Sequence, residues 1–359
     1  MKNKKIVCAL ALSFCALFNL PAMAADVDPA TLMKGLTVRE GDNPLTAADQ
    51  YKKPGPWRIG LSIWGFGNTW MTQMVHESRY EASLHKDIKQ LVFADAQSKP
   101  AKQIADIEDM IAQKVDAIII APVSYTALTP VIEKAVAAGI PVIIHSTEID
   151  TDKFTVEIQG DAKHFGEVGG KFLVDTLHGK GNIWVLRGQA GIAADTQRYE
   201  GLLAGIKGSD IKIAAEQYGD WSYNKGKQVC EALMLSNPEV DGIWSSGGDM
   251  SRACIDVFKE FGRPVPPITG EGNNGFLKAW KDSNANSMAA LFPSEQGSAG
   301  IRAAIALLQG QQLHKRYVAL PDPVTKATFD QYYRPDLNDN YWVPSGLPDD
   351  QLKKLYGKQ

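Results

Sequence analysis

From Trp57 onward, short runs of apolar residues alternate with longer stretches in which apolar positions recur at helical spacing. Runs without polar alternation suit strands buried on both faces, and the longer stretches suit the helices that cover them. Arg58 to Trp64, Ile88 to Phe93, Ala117 to Ala121 and Pro141 to His145 form a first series of predicted strands. A second series follows at Phe154 to Gln159, Asn182 to Arg187, Lys212 to Tyr218, Gly242 to Ser245, Pro267 to Thr269 and Ser287 to Leu291. Gly139-Ile140-Pro141 closes a helix and opens a strand, and Gly262 with Pro264 repeats the device. The predicted fold is α/β, with two doubly wound parallel-sheet lobes joined by a hinge near Gly160 and Leu291.

The flanks read differently. Residues 25–56 form a leader arm with one short helix, and residues 319–359 form a C-terminal extension packing on the lobes, helical only from Asp349 to Tyr356. The first lobe is assigned residues 57–160 plus about 292–318, and the second 161–291. At the start, Lys2, Lys4 and Lys5 precede an apolar run from Ile6 to Leu20, and Ala22-Met23-Ala24 offers small residues for cleavage. This is the pattern of a secretory signal peptide over residues 1–24, its apolar run too short to span a bilayer. The expected mature chain starts at Ala25 and is soluble and periplasmic; Phe14 before Cys15 departs from a lipid-attachment box. Cleavage removes three lysines and no acid, taking the net charge from -3 to -6. That balance, without a long basic run, argues against binding nucleic acid.

Cleavage also removes Cys8 and Cys15, leaving Cys230 and Cys254 on predicted helices separated by a strand. An oxidising compartment permits a bridge, while Cys is also a common buried hydrophobe, and geometry rather than sequence decides between them.

Catalytic and cofactor motifs are missing from the sequence. Gly65-Phe66-Gly67-Asn68-Thr69-Trp70 begins like a dinucleotide fingerprint but places Trp70 where a third glycine must let a helix pack closely. No phosphate loop and no Gly-x-Ser-x-Gly elbow occur. His76-Glu77 is followed by Tyr80 where a zinc protease needs a second histidine, so neither metal nor cofactor is expected. His145 closes a predicted strand and is read as a structural histidine. The strand ends are instead aromatic and polar: Trp64, Phe66, Asn68 and Trp70 follow the first strand, and Trp221 follows one in the second lobe. Flat aromatic faces pack on the CH faces of a sugar ring, and Asn, Asp, Glu and Arg match its hydroxyls.

Several segments resemble the periplasmic sugar-binding proteins of ribose and galactose type, the type I receptors of ATP-driven importers, over about residues 57–315. Asp95-Ala96-Gln97-Ser98-Lys99-Pro100 resembles the family's entry to its second helix, and Val115 to Pro122 and Ala138 to Ile143 its third and fourth strands. Gly188 to Gly191, Arg198 to Gly201 and Asn237 to Ile243 fit its second lobe. The resemblance implies two lobes that close on a ligand without chemistry, and a monomer whose partners are a small sugar or polyol and a membrane permease. A sensory role beside a membrane kinase or chemoreceptor is the alternative; a less favoured enzyme reading would use Glu271, Asp195 or His145. Asn68, Trp70 and Trp221 match family ligand positions, with the two indoles sandwiching the ligand. Glu271 stands where the family has Asp, and Arg198 or Thr196 where it has a gripping Arg. Ser146-Thr147 replaces an Asp-Arg pair and Gly247-Gly248, next to Asp249, replaces Asn-Asp, so ribose, glucose and galactose are poorly matched. Asn273 and Asn274 are candidates for replacement contacts.

Overall fold

A computed structural model of the protein describes residues 26–237 and 239–358; the expected signal peptide and its cleavage point at Ala25 lie outside them. The strands in chain order are β1 (Leu36–Val38), β2 (Trp57–Ile63), β3 (Ile88–Asp95), β4 (Ala117–Ile120), β5 (Val142–His145) and β6 (Val156–Gly160), then β7 (Lys180–Arg187), β8 (Asp210–Tyr218), β9 (Gly242–Ser245), β10 (Ile268–Glu271), β11 (Ser287–Ala290) and β12 (Arg316–Ala319). They form one sheet in the order β1-β12-β6-β5-β4-β2-β3 and another in the order β11-β10-β9-β7-β8. All pairings are parallel except β1 with β12.

The helices are α1 (Pro29–Leu32), α2 (Thr69–Leu84), α3 (Pro100–Ala112), α4 (Thr129–Ala137), α5 (Ala162–Thr176) and α6 (Ala193–Gly205), followed by α7 (Tyr223–Ser236), α8 (Gly248–Glu260), α9 (Asn274–Ser283), α10 (Gln296–Leu308), α11 (Phe329–Tyr332) and α12 (Asp349–Tyr356). The continuous apolar runs Ala117–Ile120 and Val142–His145 are buried throughout, as strands covered on both faces must be. Helices α5 and α6 meet backbone to backbone: a Cβ at Gly166 would overlap the carbonyl of Arg198, and one at Gly201 that of Lys163. Any larger residue there would push α6 outward, so these glycines set the depth at which Arg198 sits.

All ten predicted strands are present, with ends shifted by no more than two residues. Two strands escaped the pattern. β1 in the leader and β12 beyond α10 are short and half-buried; β12 pairs with β6, and β1 pairs with β12 to form the edge of the first sheet. The run expected to open the second series, β6, pairs with β5 and therefore belongs to the first sheet.

Three segments cross between the sheets, one more than the sequence pointed to. They follow β6, β11 and β12; after the last, Ala319 still pairs with Gly160 of the first sheet while Val324 bridges Ala289 of the second. The first two crossings touch, because the Phe292 ring lies where a side chain on Gly160 would be. The tail then packs Leu337, Tyr341, Val343, Leu347, Leu352 and Tyr356 into the second core. A disulfide joins Cys230 on α7 to Cys254 on α8, with Cα atoms 5.4 Å apart, inside the range a bridge requires.

Candidate functional site

Ligands of open parallel sheets bind beyond the carboxyl ends of the strands, and here two such ends face one another. Between them lies a narrow cavity of about 50 Å³. Nine of the eleven candidate residues line it: Trp64, Asn68, Trp70, Ser146 and Thr147 from the first sheet's loops and helix starts, and Arg198, Trp221, Asp249 and Glu271 from the second.

Each side chain is held by its own local chemistry. The Asn68 Oδ1 accepts from the Met71 backbone N–H at 2.9 Å and so caps α2, leaving only its amide N–H groups for a ligand. The Trp70 indole N–H donates to the Phe292 carbonyl at 2.7 Å. Trp221 donates to the Ser246 carbonyl at 3.0 Å and to its hydroxyl at 2.8 Å, with its ring laid on the bare backbones of Gly188 and Gly247. Trp221 and Ser146 both have left-handed backbone, at φ 51° and 73°. Such strain costs about 1–3 kcal/mol per residue and persists where surrounding structure holds it. At Trp221 those restraints are the two indole bonds and the packed ring; at Ser146 one is the Gln296 Oε1, which accepts from the backbone N–H at 3.1 Å.

At one end, Arg198 makes a two-pronged bond to Glu271, 3.1 Å on each arm, and donates to the Ser246 carbonyl at 2.5 Å. Both side chains are about 5% exposed, so the pair is desolvated and internally neutral. Burial pushes the Glu271 carboxyl upward, opposed by the guanidinium beside it. The guanidinium lies over Phe165 and Phe292, at 3.8 and 4.8 Å from the ring centres, and its Nε has no partner among the described residues. On the same second-sheet side, Asp249 in the first turn of α8 accepts from the Thr69 hydroxyl at 3.0 Å. Burial raises its carboxyl to about 6, the Thr69 bond pulling the other way. Ionised, Asp249 adds a negative charge that the Arg198–Glu271 pair does not offset, and it is a strong acceptor for hydroxyl donors.

Four expectations need correction. Phe66 stacks on Phe93, with centres 5.8 Å apart, and is exposed at the surface away from the cavity. Thr196 is exposed on α6; one helix turn carries Arg198 inward and Thr196 outward. Asn273 caps α9 by accepting from the Phe276 N–H at 3.0 Å and Asn274 binds the tail; neither is among the residues lining the cavity. His145 is fully buried, and both ring nitrogens lack a partner among the described residues rather than being satisfied; burial drives its pKa to about 3, so it is neutral, and it does not line the cavity.

The sequence reading missed Ile192, Ala194, Phe292 and Trp342 among the lining residues. Phe292 directly follows the hinge position Leu291 and was open to inference; Trp342 lies in an irregular tail with no periodicity to place it.

This arrangement carries a recognisable lineage. Residues 59–312 match the periplasmic binding protein domain. The chain belongs to that family. Among curated relatives, the galactofuranose-binding protein YtfQ of Escherichia coli is 31% identical over 78% of this chain and 89% of its own. The ribose import binding protein RbsB of Bacillus subtilis is 26% identical, over 72% and 83%. A solved structure of the arabinose transporter's binding component from Shewanella sp. ANA-3, bound to α- and β-L-arabinofuranose, is 31% identical with a TM-score of 0.70, over 76% of this chain and 93% of that one. In this family member, the cavity sits between the two sheets, and the matched domain ends before the tail that supplies Trp342.

Proposed function

We propose that the protein is the periplasmic solute receptor of an ATP-driven importer, holding a small neutral sugar or polyol between its sheets. The observation that carries this reading is the pairing of indole walls with charged and polar groups in one cavity. Trp70 and Trp221 come from opposite sides, while Asp249 and the Arg198–Glu271 pair supply acceptors and donors for hydroxyls. A carboxylate-bearing ligand would meet the Asp249 charge, whereas a hydroxyl donates to it. Pre-placed partners in a site that dries on closure give tight binding without a charged ligand. Relatives that bind galactofuranose, ribose and arabinofuranose agree with the ligand class.

The side chains an enzyme reading would use are otherwise engaged. Glu271 is held by Arg198, Asp195 is held by Arg187 at 2.6 Å, and His145 lies buried outside the cavity. The reading therefore assigns the cleft to binding, with a membrane permease as the partner of a monomeric closed form. A thermal-shift screen of the mature chain against pentoses, hexoses and alditols, with amino acids and quaternary amines as the contrary arm, tests it. A polyol that raises the melting temperature by mass action supports it; a response confined to the charged compounds overturns the ligand class.

A further inference from the structure

We infer that Trp342, on the tail beyond the matched domain, is a fixed wall of the ligand cleft that sets ligand length at the Asp249 end. This rests on the sugar or polyol reading above. The tail is clamped from both sides. On the second lobe, the Asn274 N–H donates to the Tyr341 carbonyl and the Val343 N–H donates to the Gly272 carbonyl, each at 2.7 Å. The Asn274 side chain adds bonds to the carbonyls of Arg334, Leu337 and Asn338, and accepts from the Arg334 N–H. A Cβ on Gly272 would meet the Val343 backbone, so the tail lies directly on the loop after β10.

From the first lobe, the buried Gln73 amide takes both backbone groups of Trp342. Its Oε1 accepts from the N–H and its Nε2 donates to the carbonyl, each at 2.8 Å. The Glu77 carboxylate then accepts from the Ser345 hydroxyl at 2.9 Å. A side chain held this way does not swing like a surface lid.

The indole is 4% exposed and lines the same cavity as Trp70 and Trp221. Its N–H donates to the Thr69 hydroxyl at 2.8 Å, and that hydroxyl donates to Asp249 at 3.0 Å. Trp342 therefore does two things. Its ring blocks growth of the ligand past Asp249, and its N–H turns the Thr69 hydroxyl so that its proton points at the carboxylate. The selected class is a single sugar ring or a short alditol; a ligand carrying a second sugar unit at that end is refused.

The test compares wild type, Trp342→Ala and Trp342→Phe by thermal shift and calorimetry with pentitols, hexitols, aldopentoses and aldohexoses, and with the disaccharides cellobiose and melibiose. Exchange of the Trp342 and Val343 amides is followed in wild type alongside. Wild type should answer to single-unit probes only, with both amides protected. Trp342→Ala should lose at least tenfold in affinity for them and gain a disaccharide response. Trp342→Phe, which keeps a ring, covers the case in which the Ala variant does not fold; it should refuse disaccharides yet bind more weakly than wild type, having lost the bond to Thr69. Affinity within twofold of wild type in both variants, with disaccharides still refused by Ala, overturns the assignment. Amides that exchange as in an unfolded chain overturn the fixed wall alone. Protected amides with no polyol response in wild type overturn the ligand class.

Discussion

Replacing Asp249 with Asn removes a charge while keeping the shape and an acceptor for the Thr69 hydroxyl, so it isolates what ionisation does. In the folded protein the carboxyl sits at about 6 because burial strips its water; in the unfolded chain it returns to about 3.9. The folded value is raised, so the folded state holds the proton more tightly than the unfolded one. Stability from this group is fully present below about pH 4 and is lost as pH rises to about 6. The shift of about two units corresponds to about 3 kcal/mol lost at neutral pH. Asp249→Asn should therefore be more stable than wild type by about that amount at pH 8, and equal to it near pH 3.5. Urea denaturation of both proteins across this range measures the difference directly.

Ligand binding should move oppositely. A hydroxyl that donates to the ionised carboxylate binds about tenfold more weakly at pH 5 than at pH 7, because the carboxyl must first lose its proton. In Asp249→Asn that pH dependence should vanish and affinity should be lower throughout. Equal stability of the two proteins at every pH would refute the claim that the site desolvates this carboxylate. A wild-type affinity that does not change between pH 5 and pH 7 would refute its role as a ligand acceptor.

Trp70→Ala and Trp221→Ala should each cost about 2 kcal/mol of binding, more than tenfold in affinity, with native circular dichroism; wild-type calorimetry in both would move the site elsewhere. Arg198→Met leaves the Glu271 carboxylate buried without its partner, so it should destabilise the fold by about 3–5 kcal/mol at pH 8, and adding Glu271→Gln should recover much of that on denaturation. Reducing the Cys230–Cys254 bridge, which spans 24 residues, should cost about 3 kcal/mol and lower the melting temperature in reductant.

What the chain's pattern revealed follows from how each residue is held. Buried parallel strands leave a continuous apolar signature, and β4 and β5 were legible for that reason. β1 is a three-residue edge strand and β12 a four-residue strand with one face half-buried, so neither leaves a continuous apolar run. Trp70 and Trp221 were found because each follows a strand end, and Arg198 because it falls at a ligand position of the resembling family, but helix phase decides which neighbours turn inward. That is why Arg198 lines the cavity and Thr196 does not. Asn274 was misread as a ligand contact because nothing local shows that the chain returns about sixty residues later to occupy its amide. Trp342 was unreadable for the same reason: its place depends on Gln73, far away in sequence, and not on any period in the tail.

The central claim is that a polyol is captured between two lobes that close on it, turning about the three crossings that follow β6, β11 and β12. Small-angle scattering of the mature chain, alone and saturated with the strongest polyol from the thermal-shift screen, tests this most directly. Closure about a hinge should draw the lobes together and reduce the radius of gyration. A radius of gyration unchanged at saturation, with binding established by calorimetry on the same sample, would contradict the account.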